Sequence, residues 1–140
     1  MTQPRTVFAD AFYWVALINP KDSSHAQAHS LSESLQNARI ITTEEVLTEV
    51  LTYFSARSRP SRIEAAYGVR DIMNDPAVRV VPQSHESFMA EFDLYESRPD
   101  KHYSLTDCIS MTVMKAEGLM DVLTNDAHFT QEGFHALLSE

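Results

Sequence analysis

With 140 residues, 44% of them hydrophobic, and only 3 Gly and 6 Pro, the chain reads as one ordinary globular domain over residues 1–140, with no linker and no repeat. Eleven Lys and Arg against 20 Asp and Glu give a net charge of −9, which excludes nucleic-acid binding through an overall basic surface. The longest apolar run, residues 11–18, is too short to cross a membrane, Asp10 interrupts any signal-like pattern, and the single Cys108 excludes an internal disulfide, so a cytoplasmic protein is expected.

In chain order, TVFA at 6–9 predicts a first strand that ends against Asp10. A short apolar helix follows at 12–17 and a polar one at 24–37. A second strand at 38–42 leads into an amphipathic helix at 43–56, with Val46, Leu47, Val50, Leu51 and Phe54 as its apolar stripe. Beyond it come a helix at 61–74, a strand at 77–81, helices at 85–97 and 105–117, a strand at 121–124 and a weaker fifth strand at 135–138. Thr42 with Glu45 and Ser104 with Asp107 both match the spacing of a capping box, and Gly118 is placed to end its helix. Short, mostly continuous apolar strands alternating with helices predict an α/β domain whose mostly parallel sheet, of four or five strands, is covered on both faces.

Within that frame four carboxylates stand where the chain turns toward the ends of strands. Asp10 follows the first strand and Asp126 the fourth, Asp107 lies in the first turn of the helix at 105–117, and Glu49 lies in TTEEVLTEVL. In a parallel sheet, ligands bind beyond the carboxyl ends of the strands. Ionised carboxylates crowded there raise one another's pKa unless a divalent cation neutralises them. Asp10, wedged among Val7, Phe8, Phe12 and Trp14, needs compensation if it is buried. Each acid also has a plainer reading: Asp107 as the partner of Ser104 in a cap, Asp126 as a cap on the turn into His128, and Glu49 as a solvated residue, because the apolar stripe of its helix points away from it.

Other groups are weaker. His25 and His29 have the i, i+4 spacing of a zinc pair but no third ligand nearby. Cys108 reads as a small buried hydrophobe. Arg57, Arg59, Arg62 and Arg70 form either a solvated helix face or a local patch for nucleic acid. A phosphoryl-accepting receiver domain needs a late lysine at a strand end, whereas Lys115 lies inside a helix and no lysine follows it.

VFADAFYWVAL, ITTEEVLTEVL, SLTDCISMTVMKAEG and DVLTNDAHF, in that order over nearly the whole chain, resemble the PIN-domain ribonucleases and especially the VapC-like toxins. The resemblance implies a three-layer α/β/α sandwich and a Mg²⁺- or Mn²⁺-dependent endoribonuclease. It places the acids at Asp10, Glu49, Asp107 and Asp126, with Asp10, Asp107 and Asp126 toward the metal and Thr124 in support. It also implies an RNA substrate, an antitoxin protein and a homodimer; the acidic balance suits a basic antitoxin. Asp22 and His25 match a D-x-x-H pattern of related proteins and are assigned a structural role at the helix start. The small polar residue that many members carry two positions after the first acid is Phe12 here, a departure that removes no ligand and points to reduced or altered activity rather than a dead site; the alternative reading is a catalytically weak or silent PIN-like interaction module.

Overall fold

The run TVFA is apolar without alternation, as a strand covered on both faces should be, and it forms the centre of the fold. The computed structural model describes residues 4–138. Its elements are β1 (Thr6–Ala9), α1 (Ala11–Ile18), α2 (His25–Ser34), β2 (Arg39–Thr43), α3 (Glu44–Ser55), α4 (Arg59–Asn74), β3 (Val78–Val81), α5 (His85–Ser97), α6 (Leu105–Glu117), β4 (Asp121–Leu123), α7 (Ala127–Gln131) and β5 (His135–Ala136). The strands form one sheet in the order β3-β2-β1-β4-β5, and every pairing is parallel. Val7, Phe8 and Ala9 have no exposure.

The topology generates the layers. From β1 through β2 to β3 the chain moves one way across the sheet, so right-handed crossovers put α1–α4 on one face. From β3 it returns past β1 to β4 and then β5, which puts α5–α7 on the other. The packing agrees: α1 lies against α2, α3 and α4, α3 lies against α4, and α6 lies against α5 and α7, while α3 and α6 meet between the layers. The α/β/α sandwich is therefore three layers deep around a five-stranded parallel sheet. No helix among the described residues is long and apolar enough to cross a membrane.

Helix α1 is apolar nearly all round because it is buried nearly all round, with Ala11, Tyr13, Trp14, Val15 and Ala16 in the core. It packs closely on α4 at Gly68, where a Cβ would meet the Ile18 side chain at 2.8 Å. Gly118 ends α6 at φ 68°, a left-handed geometry that glycine adopts without steric cost. Beside that helix, Glu132 binds Arg98, Lys115 and the Tyr103 hydroxyl, with Arg98 at 3.0 and 2.8 Å.

The capping box expected of Thr42 and Glu45 is absent. Thr42 is fully buried in β2, where its hydroxyl donates to the Ala9 carbonyl at 2.8 Å and accepts from Trp14 Nε1 at 3.2 Å. Thr43 caps α3 instead, accepting from Val46 N at 3.0 Å. The cap of Ser104 and Asp107 forms in both directions, at 3.0 Å each way. Helix α2 stops at Ser34, short of 37, because the Ser32 and Ser34 hydroxyls bond back to the His29 and Leu31 carbonyls and compete with further helix. Helix α4 starts at Arg59 rather than 61: Ser58 caps it and Pro60 suits its first turn. Helix α7, 5 residues long, was not foreseen; one turn is too short to show a period.

Candidate active site

The chain reverses its direction across the sheet between β1 and β4, and their carboxyl ends open a crevice there. Asp10 leaves β1 at that point and Thr124 leaves β4 beside it. Asp10 is 6% exposed, and its Oδ2 accepts the Thr124 hydroxyl at 2.9 Å. Thr124 Oγ1 also accepts from Asp126 N at 3.2 Å. One buried hydroxyl thus sets the positions of two acids. Asp126 Oδ1 in turn caps α7 by accepting from His128 N at 2.9 Å.

Asp107 arrives from the opposite layer. Its Oδ2 accepts from Ser104 N at 3.0 Å and faces His128 Nδ1 at 3.0 Å; the same nitrogen lies 3.4 Å from Asp126 Oδ1. The His128 ring is set edge-on to Tyr103, centroids 5.5 Å apart. Ligand atoms of Asp107, Asp126 and His128 all lie within 4.8 Å of one another. Asp10 and Glu49 stand outside that tight group but within electrostatic reach of it. Burial raises Asp10 to about 6, and Asp107 and Asp126 push the same way against the lowering bonds from Thr124 and Ala11 N. Glu49 sits exposed at the rim. Partial loss of water lifts it to about 7, helped by the charges of Asp10, Asp107 and Asp126. Among the described residues, no basic side chain stands among the main influences on either group.

The structure therefore brings all four predicted acids into one electrostatic unit. Both the capping and the cluster readings of Asp107 and Asp126 hold at once, because a carboxylate has two oxygens. Glu49 is exposed as its helical phase requires, yet it faces the acids. His128 is the residue the sequence reading passed over; its signal was the D-x-H spacing in NDAHF, where a first-turn side chain folds back over its own cap. Phe12 lies partly buried against the core and brings no polar atom to the site.

The remaining candidates lie elsewhere. Asp22 Oδ1 accepts from Ser24 N at 2.8 Å and His25 Nδ1 donates to the Ala16 carbonyl at 2.7 Å, so this pair ties the start of α2 to α1. His29 pairs with Glu33. Cys108 is fully buried and its thiol is pushed up, first by burial and then by Asp107. A cavity of about 730 Å³ at the other end of the strands, lined by Arg39, Arg79 and Glu117, contains none of the acids.

No protein-family model matches the chain. Among curated proteins it is 27% identical over 128 residues to the 23S rRNA-specific endonuclease VapC20 of Mycobacterium tuberculosis, in two strains, a match spanning 91% of this chain and 95% of the relative. The crystal structure of that VapC20, described as a sarcin-ricin loop cleaving toxin, superposes with a TM-score of 0.83 at 24% identity, covering 94% of this chain and 98% of the other. VapBC2 of Rickettsia felis, bound to a DNA fragment from its promoter, gives a TM-score of 0.64 at 15% identity, with coverages of 90% and 92%. With its parallel sheet, its acids gathered at the switch point and a curated relative matched over 91% of its length, the chain is similar to the VapC toxins in sequence and in fold.

Proposed function

We propose that the chain is a divalent-metal-dependent endoribonuclease, the toxin of a toxin–antitoxin pair, working as a single domain in the cytoplasm. The observation that carries this reading is the convergence of Asp10, Glu49, Asp107 and Asp126 at the switch point, where the charges of Asp107 and Asp126 add to the raised pKa of both Asp10 and Glu49. Carboxylate oxygens are the donors that Mg²⁺ and Mn²⁺ prefer, and the rise of Asp10 to about 6 is the strain that a bound cation would relieve. The donor set therefore fits the group. Asp10, Asp107 and Asp126 are the residues to hold it. His128, donating from Nδ1, orients Asp107 as an outer partner does.

A cation held by Asp10, Asp107 and Asp126 would neutralise phosphate charge and lower the pKa of a water, which would supply hydroxide as the nucleophile. The chain's own groups prepare the reaction. Thr124 fixes Asp10 and the Asp126 backbone together. Ser104 N holds one oxygen of Asp107. Glu49, with its pKa near 7, can take a proton from the attacking water or return one to the leaving oxygen at its exposed carboxyl. Similarity to a 23S rRNA-specific endonuclease supports a structured ribosomal RNA loop as the first substrate class to try. Likeness to a VapBC complex supports an antitoxin partner, for which the net charge of −9 favours a basic segment, and a homodimer is part of the same reading.

The test is cleavage of ribosomal RNA fragments by the purified chain and by Asp107→Asn. Cleavage should require Mg²⁺ or Mn²⁺ and vanish in the variant. Equal cleavage in EDTA, or by Asp107→Asn, would overturn the proposal.

A further inference from the structure

An acidic chain that cuts RNA needs a place to hold phosphates away from its own carboxylates. The cations show where. Among the described residues Arg5, Arg79, Arg98, Lys101 and Lys115 are engaged in ion pairs with acids. Lys21, Arg57, Arg59, Arg62 and Arg70 are not: Arg57 precedes α4, Arg59, Arg62 and Arg70 lie on it, and Lys21, from the turn after α1, shares a cavity with Arg57; Arg39 is the other exception, at the opposite end of the strands.

Two features turn part of this region into a site. Tyr53 follows Glu49 by one turn of α3, about 6 Å along the axis and about 40° around it, so it continues the face that carries the acid. The Arg57 guanidinium then lies 4.3 Å from the Tyr53 ring centroid and donates to its hydroxyl at 2.7 Å. Beside them a cavity of about 600 Å³ is lined by Lys21, Tyr53, Arg57 and the hydroxyl residues Ser58 and Ser61. Asp22 also lines it, with one carboxylate oxygen on Ser24 N. Acid rim, exposed aromatic ring, guanidinium and ammonium therefore follow one another outward. A ring for a base and cations for phosphates are the elements of single-strand binding.

We propose that this cavity at the corner of α3 and α4 binds the sugar–phosphate backbone of the RNA next to the bond being cut, with Arg57 and Lys21 on phosphates and Tyr53 against a base. The inference rests on the ribonuclease reading. Arg57 and Lys21 are positioning residues, since they act one turn or more from the acids.

The test measures binding of a short labelled single-stranded RNA in EDTA across a salt series, alongside cleavage of the same RNA in Mg²⁺. The proteins are the parent, Arg57→Gln, Lys21→Gln and, as an equal change of charge, Arg39→Gln. On a single-strand slope of about 0.7 per phosphate contact, a contact that fades by 1 M salt contributes about eightfold in affinity at about 50 mM. Arg57→Gln and Lys21→Gln should each weaken binding by about that factor and lower the salt slope by about 0.7, whereas Arg39→Gln should change neither. All of these side chains are exposed, so the variants should melt with the parent. If the parent cleaves RNA while Arg57→Gln and Lys21→Gln bind as tightly as Arg39→Gln, the site is refuted and the nuclease reading stands. RNA binding that depends on Arg57 in a parent that cuts nothing with any cation supports the site and removes the nuclease reading. Loss of binding to poly-glutamate with RNA binding unchanged would make the corner a protein-docking surface and overturn the inference.

Discussion

Asp10→Asn separates a strained functional carboxylate from a structural one. Asp10 rises from its ordinary 3.8 to about 6 in the native state, chiefly through burial. A group whose folded pKa is raised favours the native state below its unfolded pKa, and that advantage is lost as pH rises through the folded value. At about 1.4 kcal/mol per pH unit, ionised Asp10 costs the metal-free native state about 3 kcal/mol at pH 7, and about 2 kcal/mol of this develops between pH 4 and pH 7. Asparagine keeps an oxygen for the Thr124 hydroxyl and cannot ionise, although its amide donors need partners at a cost of about 1–3 kcal/mol. The absolute stability at pH 7 should therefore be similar to or above that of the parent. The pH dependence is free of the amide cost: between pH 4 and pH 7 the parent should lose about 2 kcal/mol relative to the variant. Urea melts in EDTA at each pH measure this directly. Mg²⁺ or Mn²⁺ at about a hundred times its dissociation constant should then restore about 2.7 kcal/mol to the parent and much less to the variant. Parallel pH profiles and equal metal responses would show that Asp10 is neither strained nor a ligand.

Thr124→Val is nearly isosteric and removes both the hydroxyl that donates to Asp10 and the oxygen that accepts from Asp126 N; it should destabilise by about 1–3 kcal/mol and lower metal affinity about tenfold or more, read by melts and by calorimetric titration. Glu91 in α5 is 1% exposed, its Oε2 has no hydrogen-bond partner among the described residues, and burial with Glu45 nearby raises it to about 7. Its ionisation should therefore cost stability as pH rises from about 4.5 through 7, and Glu91→Leu should gain about 1 kcal/mol or more over the parent at pH 8 and less at pH 5, a trend that equal differences at the two pH values would contradict.

Several features were legible along the chain because local physics fixes them. Short apolar strands alternating with helices can only be covered by two helical layers, which is why α5 and α6 start and stop at the residues expected and the sheet is parallel. The Ser104–Asp107 cap spans three residues and depends on nothing distant. What depended on the tertiary structure was which face each group meets. Thr42 and Thr43 are equivalent as caps in sequence, and only the packing of Trp14 on β2 commits Thr42 to the sheet and leaves the cap to Thr43. Glu49 lies off its own apolar stripe, and its place in the site exists only because α3 packs against α1, which follows Asp10, and against α6, which carries Asp107. The D-x-H spacing ties His128 only to its own cap at Asp126, and its pairing with Asp107 at 3.0 Å exists only because α6 brings that acid across. The sequence by itself determined the elements and the supply of acids, since period and composition are local. The order β3-β2-β1-β4-β5 decided the site, because it places Asp10 and Thr124, far apart in the chain, at the ends of neighbouring strands.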